Sequence, residues 1–223
     1  IVEEQLLPEE AINAGASLVH KFELIGMESS ISLDYYYTFF TNQAVVDLDK
    51  NVHEIHIYNL DGQSFSNSYQ AELVIEPIER LDVKLTYKHF DVKATYHGEL
   101  LRKPLVPIDR GLINIGYETA NTKWQYDLNT KLFGKSRLPD TGQNPDVFRL
   151  SSYSDPYYTL SGQITRRFLK MEYYLGVENL LNYKQPNAII AANDPFGDYF
   201  DASMIWGPVN GRVMYGGLRF RMK

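Results

Sequence analysis

The chain has no cysteine, which excludes a disulfide framework and thiolate metal sites. That absence also suits an oxidising compartment, where stray thiols would cross-link. No apolar run approaches the ~18 residues of a transmembrane helix, and no 3.6-residue periodicity of any length occurs. Lysine and arginine number 22 against 28 aspartates and glutamates, a net charge of -6, so the basic footprint of a nucleic-acid binder is missing. Tryptophan is scarce, with 2 in 223 residues. The first residues do not read as a signal peptide. Neither this nor the lack of an apolar helix excludes a membrane β-barrel, whose strands are apolar on one face only. The chain begins at Ile1 and not at Met, which reads as a processed product or a piece of a longer protein.

What is present is interleaved. Hydrophobic residues make up 44% of the chain, yet the mean hydropathy is -0.33, so apolar groups alternate with polar ones. Tyrosine is abundant, at 17, and suits surfaces that are apolar on one side and wet on the other. The stretch KMEYYLGVENLLNYKQ (170–185) puts Met171, Tyr173, Leu175 and Val177 on one side and Glu172, Tyr174, Gly176 and Glu178 on the other. The same period of two recurs along the chain. Ile12, Ala14, Ala16, Leu18, Phe22 and Leu24 share a face, as do Ile31, Leu33, Tyr35, Tyr37 and Phe39. So do Tyr69 to Ile75, Leu81 to Tyr87, Ile113 to Tyr117, Trp124 to Leu132, Tyr158 to Phe168, and Met214 to Met222, each taken at alternate positions.

These segments make about nine strands. Their connections alternate strictly. Tight ones fall at Gly26, Glu79, Ala120–Asn121 and Leu169, and long ones near 49–64, 98–109, 137–155 and 183–209. The alternation predicts an all-β, antiparallel, up-and-down meander with every long loop at one end. A soluble sheet with one polar face fits strand by strand. The many charges of the polar side and the aromatics near strand ends (Tyr35 to Phe40, Tyr157, Tyr158, Tyr183) favour a transmembrane β-barrel.

Three segments carry a family resemblance. GVENLLN (Gly176 to Asn182), followed by a long loop and one closing strand, resembles the C-terminal signature of TonB-dependent outer-membrane receptors. YGGLRFRMK resembles the assembly signal of outer-membrane proteins, with Gly217, Phe220 and Met222 at its G-x-x-Φ-x-Φ positions; Met222 and Lys223 stand where an aromatic usually ends the chain. DPFGDYFDASMIWGPVNGR is similar to the last long loop of Bacteroidetes-type members. The resemblance implies a 22-stranded barrel with a plugged lumen, of which residues 1–223 are the C-terminal portion, the plug and earlier strands being absent. It implies a Gram-negative outer membrane as location. Its implied partners are membrane lipid, the rest of the barrel and plug, the TonB energy-coupling protein and an extracellular nutrient whose identity stays open. No enzymatic activity and no cofactor are expected. A smaller outer-membrane barrel enzyme or passive porin, and a soluble β-sheet binding module, are the alternatives.

Candidate ligand-binding residues lie in the last long loop: Phe196, Tyr199, Phe200 and Trp206 among glycines and prolines. Aromatics on a constrained loop lose little entropy on binding; equally, they could pack on adjacent loops. NVHEIH brings His53, Glu54 and His56 together, but in a predicted loop and without metal-site spacing, so no metal is expected. No nucleophile elbow occurs. Carboxylates such as Glu172 and Glu72 read as parts of a wet wall. Asn179 and Asn182 stand where a strand ends, and their amides can bond backbone groups that lose ladder partners.

Overall fold

A computed structural model describes residues 1–220. Nine long strands follow the predicted meander. They are β1 (Glu10–Leu24), β2 (Met27–Asn42), β5 (Ser64–Ile78), β6 (Leu81–Tyr96), β8 (Asp109–Glu118), β9 (Trp124–Phe133), β10 (Tyr157–Arg167), β11 (Met171–Glu178) and β12 (Val213–Phe220). Short strands lie inside the long connections: β3 (Ala44–Asp47) pairs with β4 (His56–Asn59), and β7 (Glu99–Arg102) pairs with β6. A 3-10 turn covers Asp146–Phe148. The nine long strands pair in the order β1-β2-β5-β6-β8-β9-β10-β11-β12, all antiparallel, and β1 and β12 pair on one side only among the described residues.

The turns are those that tight hairpins need. Ile25 and Gly26 both have positive φ, 56° and 76°, the arrangement whose twist matches the flanking strands. His97 and Gly98 do the same between β6 and β7. β1, β2, β5 and β6 run 15 or 16 residues, beyond the ~9–11 that cross a bilayer.

Pairing carries the alternation across the whole sheet. Leu18 faces Leu33, Leu33 faces Ala71, Ala71 faces Tyr87, Tyr87 faces Gly111, Gly111 faces Leu132, and Leu132 faces Tyr158. The apolar sets therefore merge into one face. Two aromatic belts bound it. Near the loop end are Tyr35, Tyr69, Tyr87 and Tyr158, with Tyr35 and Tyr69 rings 4.9 Å apart. Near the turn end are Tyr117, Trp124, Tyr126, Phe168, Tyr173 and Phe220. Tyr158 and Phe168 are ten residues apart, about 33 Å along the strand and about 25 Å along a normal tilted by some 40°. The aromatics expected at strand ends divide by parity: Tyr158 joins the belt, whereas Tyr157 and Tyr183 turn to the other side and stack there, 5.0 Å apart.

The opposite face is a cross-strand polar web. Lys84 pairs with Glu72 at 2.8 Å, Asn114 donates to Asn129 at 2.6 Å, the Tyr215 hydroxyl donates to Gln163 at 3.1 Å, and Glu172 holds Arg219 at 2.5 Å. Glu72 and Glu172 are thus parts of this web.

Gly217, in the segment that resembles an assembly signal, sits opposite Tyr174, and Gly176 sits opposite Tyr215. Each tyrosine ring lies over its glycine, in space a Cβ would need. Phe220 faces Met171 at the turn end; Met222 lies outside the described residues. We expect Gly217→Val to destabilise the β11–β12 pair by about 1–3 kcal/mol through overpacking, and Tyr174→Ala to restore part of the loss. Heat-modifiable gel mobility of the intact protein measures both, and an unrescued double variant would contradict the contact.

Candidate functional site

All four long connections rise from one end of the sheet: L1 (43–63), L2 (97–108), L3 (134–156) and L4 (179–212). L1 folds as the β3–β4 hairpin and drops Val45 onto Ala94 and Tyr96 of β6, with Tyr58, Leu60 and Leu101 around them. This small apolar core seats the loops on the wall.

Two carboxylates then tie the loops together. Asp47 of L1 is 0% exposed. It accepts from the Tyr58 hydroxyl at 2.7 Å and from the Asp49 N–H at 2.8 Å, and faces His97 Nε2 of L2 at 2.7 Å. Burial pushes this carboxyl up, but the Tyr58 hydroxyl, the Asp49 N–H, the His97 ring and the Lys50 N–H together hold it below the ordinary carboxylate range. The same contact, with burial leading, raises the Tyr58 hydroxyl.

Asp49 binds Arg137 of L3 through both oxygens, at 2.9 and 2.8 Å, and accepts from the Asp140 N–H at 2.8 Å. Arg137 also donates to the Arg102 carbonyl of L2 at 2.5 Å and lies 5.5 Å from the Tyr96 ring centre. One guanidinium so joins L1, L2, L3 and β6. Residues 1–9 run beside β4, with Val2 in a parallel bridge to Ile57. There Glu3 meets Lys50 and His56.

L4 is organised by Gln185, which is buried. Its Oε1 accepts from the Trp206 and Gly207 N–H groups, both at 2.8 Å, and its Nε2 donates to the Met204 carbonyl at 2.8 Å. At the loop base the Asn179 side chain bonds the backbone N–H and carbonyl of Tyr183 at 3.0 and 2.7 Å, and Asn182 accepts from the Arg212 N–H at 2.9 Å. Both asparagines have positive φ. They do what the polar strand end predicts.

The structure distributes the four aromatic candidates unequally. Trp206 packs 5.6 Å from Tyr157, which lies between Phe133 and Tyr183, so Trp206 belongs to an aromatic stack at the loop end of the sheet. Tyr199 reaches across to His53 of L1, at 6.0 Å, and Phe148 of L3, at 5.4 Å. Phe200 lines a cleft of about 200 Å³ between L4 and L1, with His53, Glu54, Asp201 and Ser203. Phe196 stands fully exposed, at 100%.

His53 and His56 part company. His56 is buried between Glu3 and Glu54, 2.7 and 2.9 Å away, while His53 faces Tyr199 and the cleft. No group of three or more metal-ligating side chains is assembled among the described residues. The loop ties Asp47, Asp49, Arg137 and Gln185 carry no periodic signal in the sequence.

No protein-family model matches the sequence, and no curated protein matches it. Solved structures do. The copper transporter OprC superposes with a TM-score of 0.70 at 14% identity, over 98% of this chain and 32% of that one. The pyoverdine outer membrane receptor FpvA from Pseudomonas aeruginosa PAO1, bound to pyoverdine, gives 0.63 at 17% identity, over 97% and 30%. The FrpB iron transporter from Neisseria meningitidis gives 0.62 at 12%, over 98% and 31%. The chain spans about a third of the length of these structures. It has the fold of the barrel part of TonB-dependent outer-membrane receptors.

The Asp49–Arg137 pair is nearly buried, and removing one partner of such a pair leaves an uncompensated charge. We expect Arg137→Ala to loosen L1 and L3 by about 3 kcal/mol while the sheet stays folded. Hydrogen exchange in 43–63 and 134–156 measures the effect; unchanged protection in both loops would show that the pair is not what holds them.

Proposed function

We propose that this chain is the C-terminal part of the barrel of an outer-membrane receptor that takes up a scarce nutrient with energy delivered through TonB. It supplies wall and extracellular loops, and the plug and the remaining strands come from the rest of that receptor. One observation carries the reading most: a single apolar face, bounded by two aromatic belts, backs a hydrogen-bonded polar face, with every long loop at one end. The likeness to barrels whose names concern copper, iron and pyoverdine supports a nutrient receptor over a soluble sheet module. The open edges of β1 and β12 require further strands in hydrocarbon, which weighs against a smaller complete barrel. The function is capture and passage, without covalent chemistry.

The intact protein is expected in the outer-membrane fraction, and recovery in the soluble fraction would end this reading. Facing gives a sharper test. Leu175→Arg or Leu85→Arg puts charge against lipid at about 2–4 kcal/mol near the midplane, whereas Lys84→Ala alters only the wet wall. Equal yields of folded barrel from these variants would contradict the assignment of the faces.

The loops divide recognition from closure. Phe196→Ala removes a side chain that packs on nothing, so stability should stay within about 0.5 kcal/mol while nutrient uptake by cells falls. Trp206→Ala should instead unlock L4 at about 3 kcal/mol, visible as faster hydrogen exchange in 179–212. Parent-level uptake by the Phe196 variant would remove that residue from the binding role.

A further inference from the structure

On the apolar face, from the loop-end tyrosines to the turns, one described side chain carries a permanent charge: Arg166 of β10. It stands opposite Trp124 of β9 on one side and Tyr173 of β11 on the other. Its guanidinium carbon lies 4.5 Å from the centre of the Trp124 ring and 5.3 Å from that of Phe168. Phe168 meets Tyr173 edge-on at 5.7 Å. The carboxylates of this rim are engaged elsewhere. Arg167, one residue on, points to the polar face and takes Glu118 and Glu172, and Glu172 also holds Arg219. Arg166 has no acidic partner among the described residues. The two turns that flank it each expose a lysine, Lys123 and Lys170. The Arg167 N–H, bonded to the Lys123 carbonyl at 2.8 Å, draws the first of these turns against the end of β10.

We propose that Arg166, supported by Lys123 and Lys170, binds the phosphate of an anionic phospholipid headgroup in the leaflet at the turn end. The inference rests on the reading of the chain as a membrane barrel and adds a specific lipid site to it. An arginine on a lipid-facing wall is tolerated at the interface, where an anionic headgroup gives its charge the partner that the surrounding rings do not supply. Contact with the Trp124 and Phe168 rings uses none of the guanidinium N–H groups, which stay available to a bidentate acceptor, and a phosphate has that geometry. The site lies on the face of the sheet among exposed belt aromatics, Trp124, Phe168 and Tyr173. It offers acyl chains a seat beside the headgroup and gives a free phosphate ion no enclosure, so the lipid is the source of the phosphate.

The test uses the intact receptor in nanodiscs made of equal parts phosphatidylglycerol and phosphatidylcholine, with retained lipids weighed by native mass spectrometry. The parent is expected to retain phosphatidylglycerol preferentially. Arg166→Gln should lower that preference about fivefold, the change that corresponds to about 1 kcal/mol per basic side chain at an anionic surface. Lys131→Gln, on the polar face, should leave it unaltered. If Arg166→Gln does not fold, the Lys123→Gln/Lys170→Gln pair in the exposed turns carries the same expectation. Equal retention of both lipids by the parent, or an undiminished preference in the Arg166 variant, overturns the site. Displacement of the lipid by excess inorganic phosphate overturns its assignment to a headgroup. A receptor that enters nanodiscs without lipid preference removes the site alone; one that does not enter removes the membrane reading as well.

Discussion

A one-residue slip in any of the eight pairings among the nine long strands would exchange the two faces of every strand beyond it. The structure depends on that not happening. Two independent features fix the register. On one face the apolar sets must stay contiguous from Leu18 through Leu33, Ala71 and Tyr87 to Tyr158. On the other, Glu72 meets Lys84, and Asn114 meets Asn129, because both members of each pair point to the same face, which a one-residue slip would undo. A slipped strand would lose its cross-strand hydrogen bonds and present charge to the apolar side at once. The tyrosines over Gly176 and Gly217 add a third lock at the last pair, since each ring fits only where its partner lacks a side chain.

The wall's rigidity is handed to the loops by few contacts. Loops of this length are ordinarily mobile. Here Val45 anchors L1 to β6, and Arg137 gathers L1, L2 and L3 through Asp49 and the Arg102 carbonyl. Ordering three loops before any ligand arrives removes part of the entropy that binding would otherwise cost. L4 is treated differently. Its base and return are pinned by Asn179 and Gln185 and Tyr199 leans on L1 and L3, but the Phe196 side chain at its tip is fully exposed. The assembly therefore combines a preset platform with one exposed aromatic tip, and the cleft between L1 and L4 lies where the two meet.

How much of this the sequence disclosed follows from the range of each interaction. Strand positions, the alternation of tight and long connections, and the facing of Tyr173, Leu175 and Glu172 were all legible, because a period of two is a local property. The β3–β4 and β7 strands were not, since four residues of alternation do not stand out in a loop. The Asp49–Arg137 clamp joins residues 88 apart and had no local mark. Trp206 and Tyr199 looked alike in one aromatic loop, and only the fold separates the ring that packs on Tyr157 from the one that bridges L4 to L1 and L3. Asn179 and Asn182 were readable because the end of a strand leaves nearby groups to satisfy.

Arg166 and Arg167 show how far the alternation governs chemistry. They are the same residue type at adjacent positions on one strand. Arg167 points to the polar face, where Glu118 and Glu172 await it and its charge is settled within the protein. Arg166 points to the apolar face, where the neighbours are Trp124, Phe168 and Tyr173. Rings contribute about 0.5–2 kcal/mol to a cation depending on its desolvation, but they cannot neutralise it. The stacking therefore fixes where the guanidinium lies and leaves its hydrogen-bonding edge unspent. What meets that edge must come from outside the sheet, and on the reading of this face as a membrane wall the turn-end belt lies level with the lipid headgroups, which offer such acceptors.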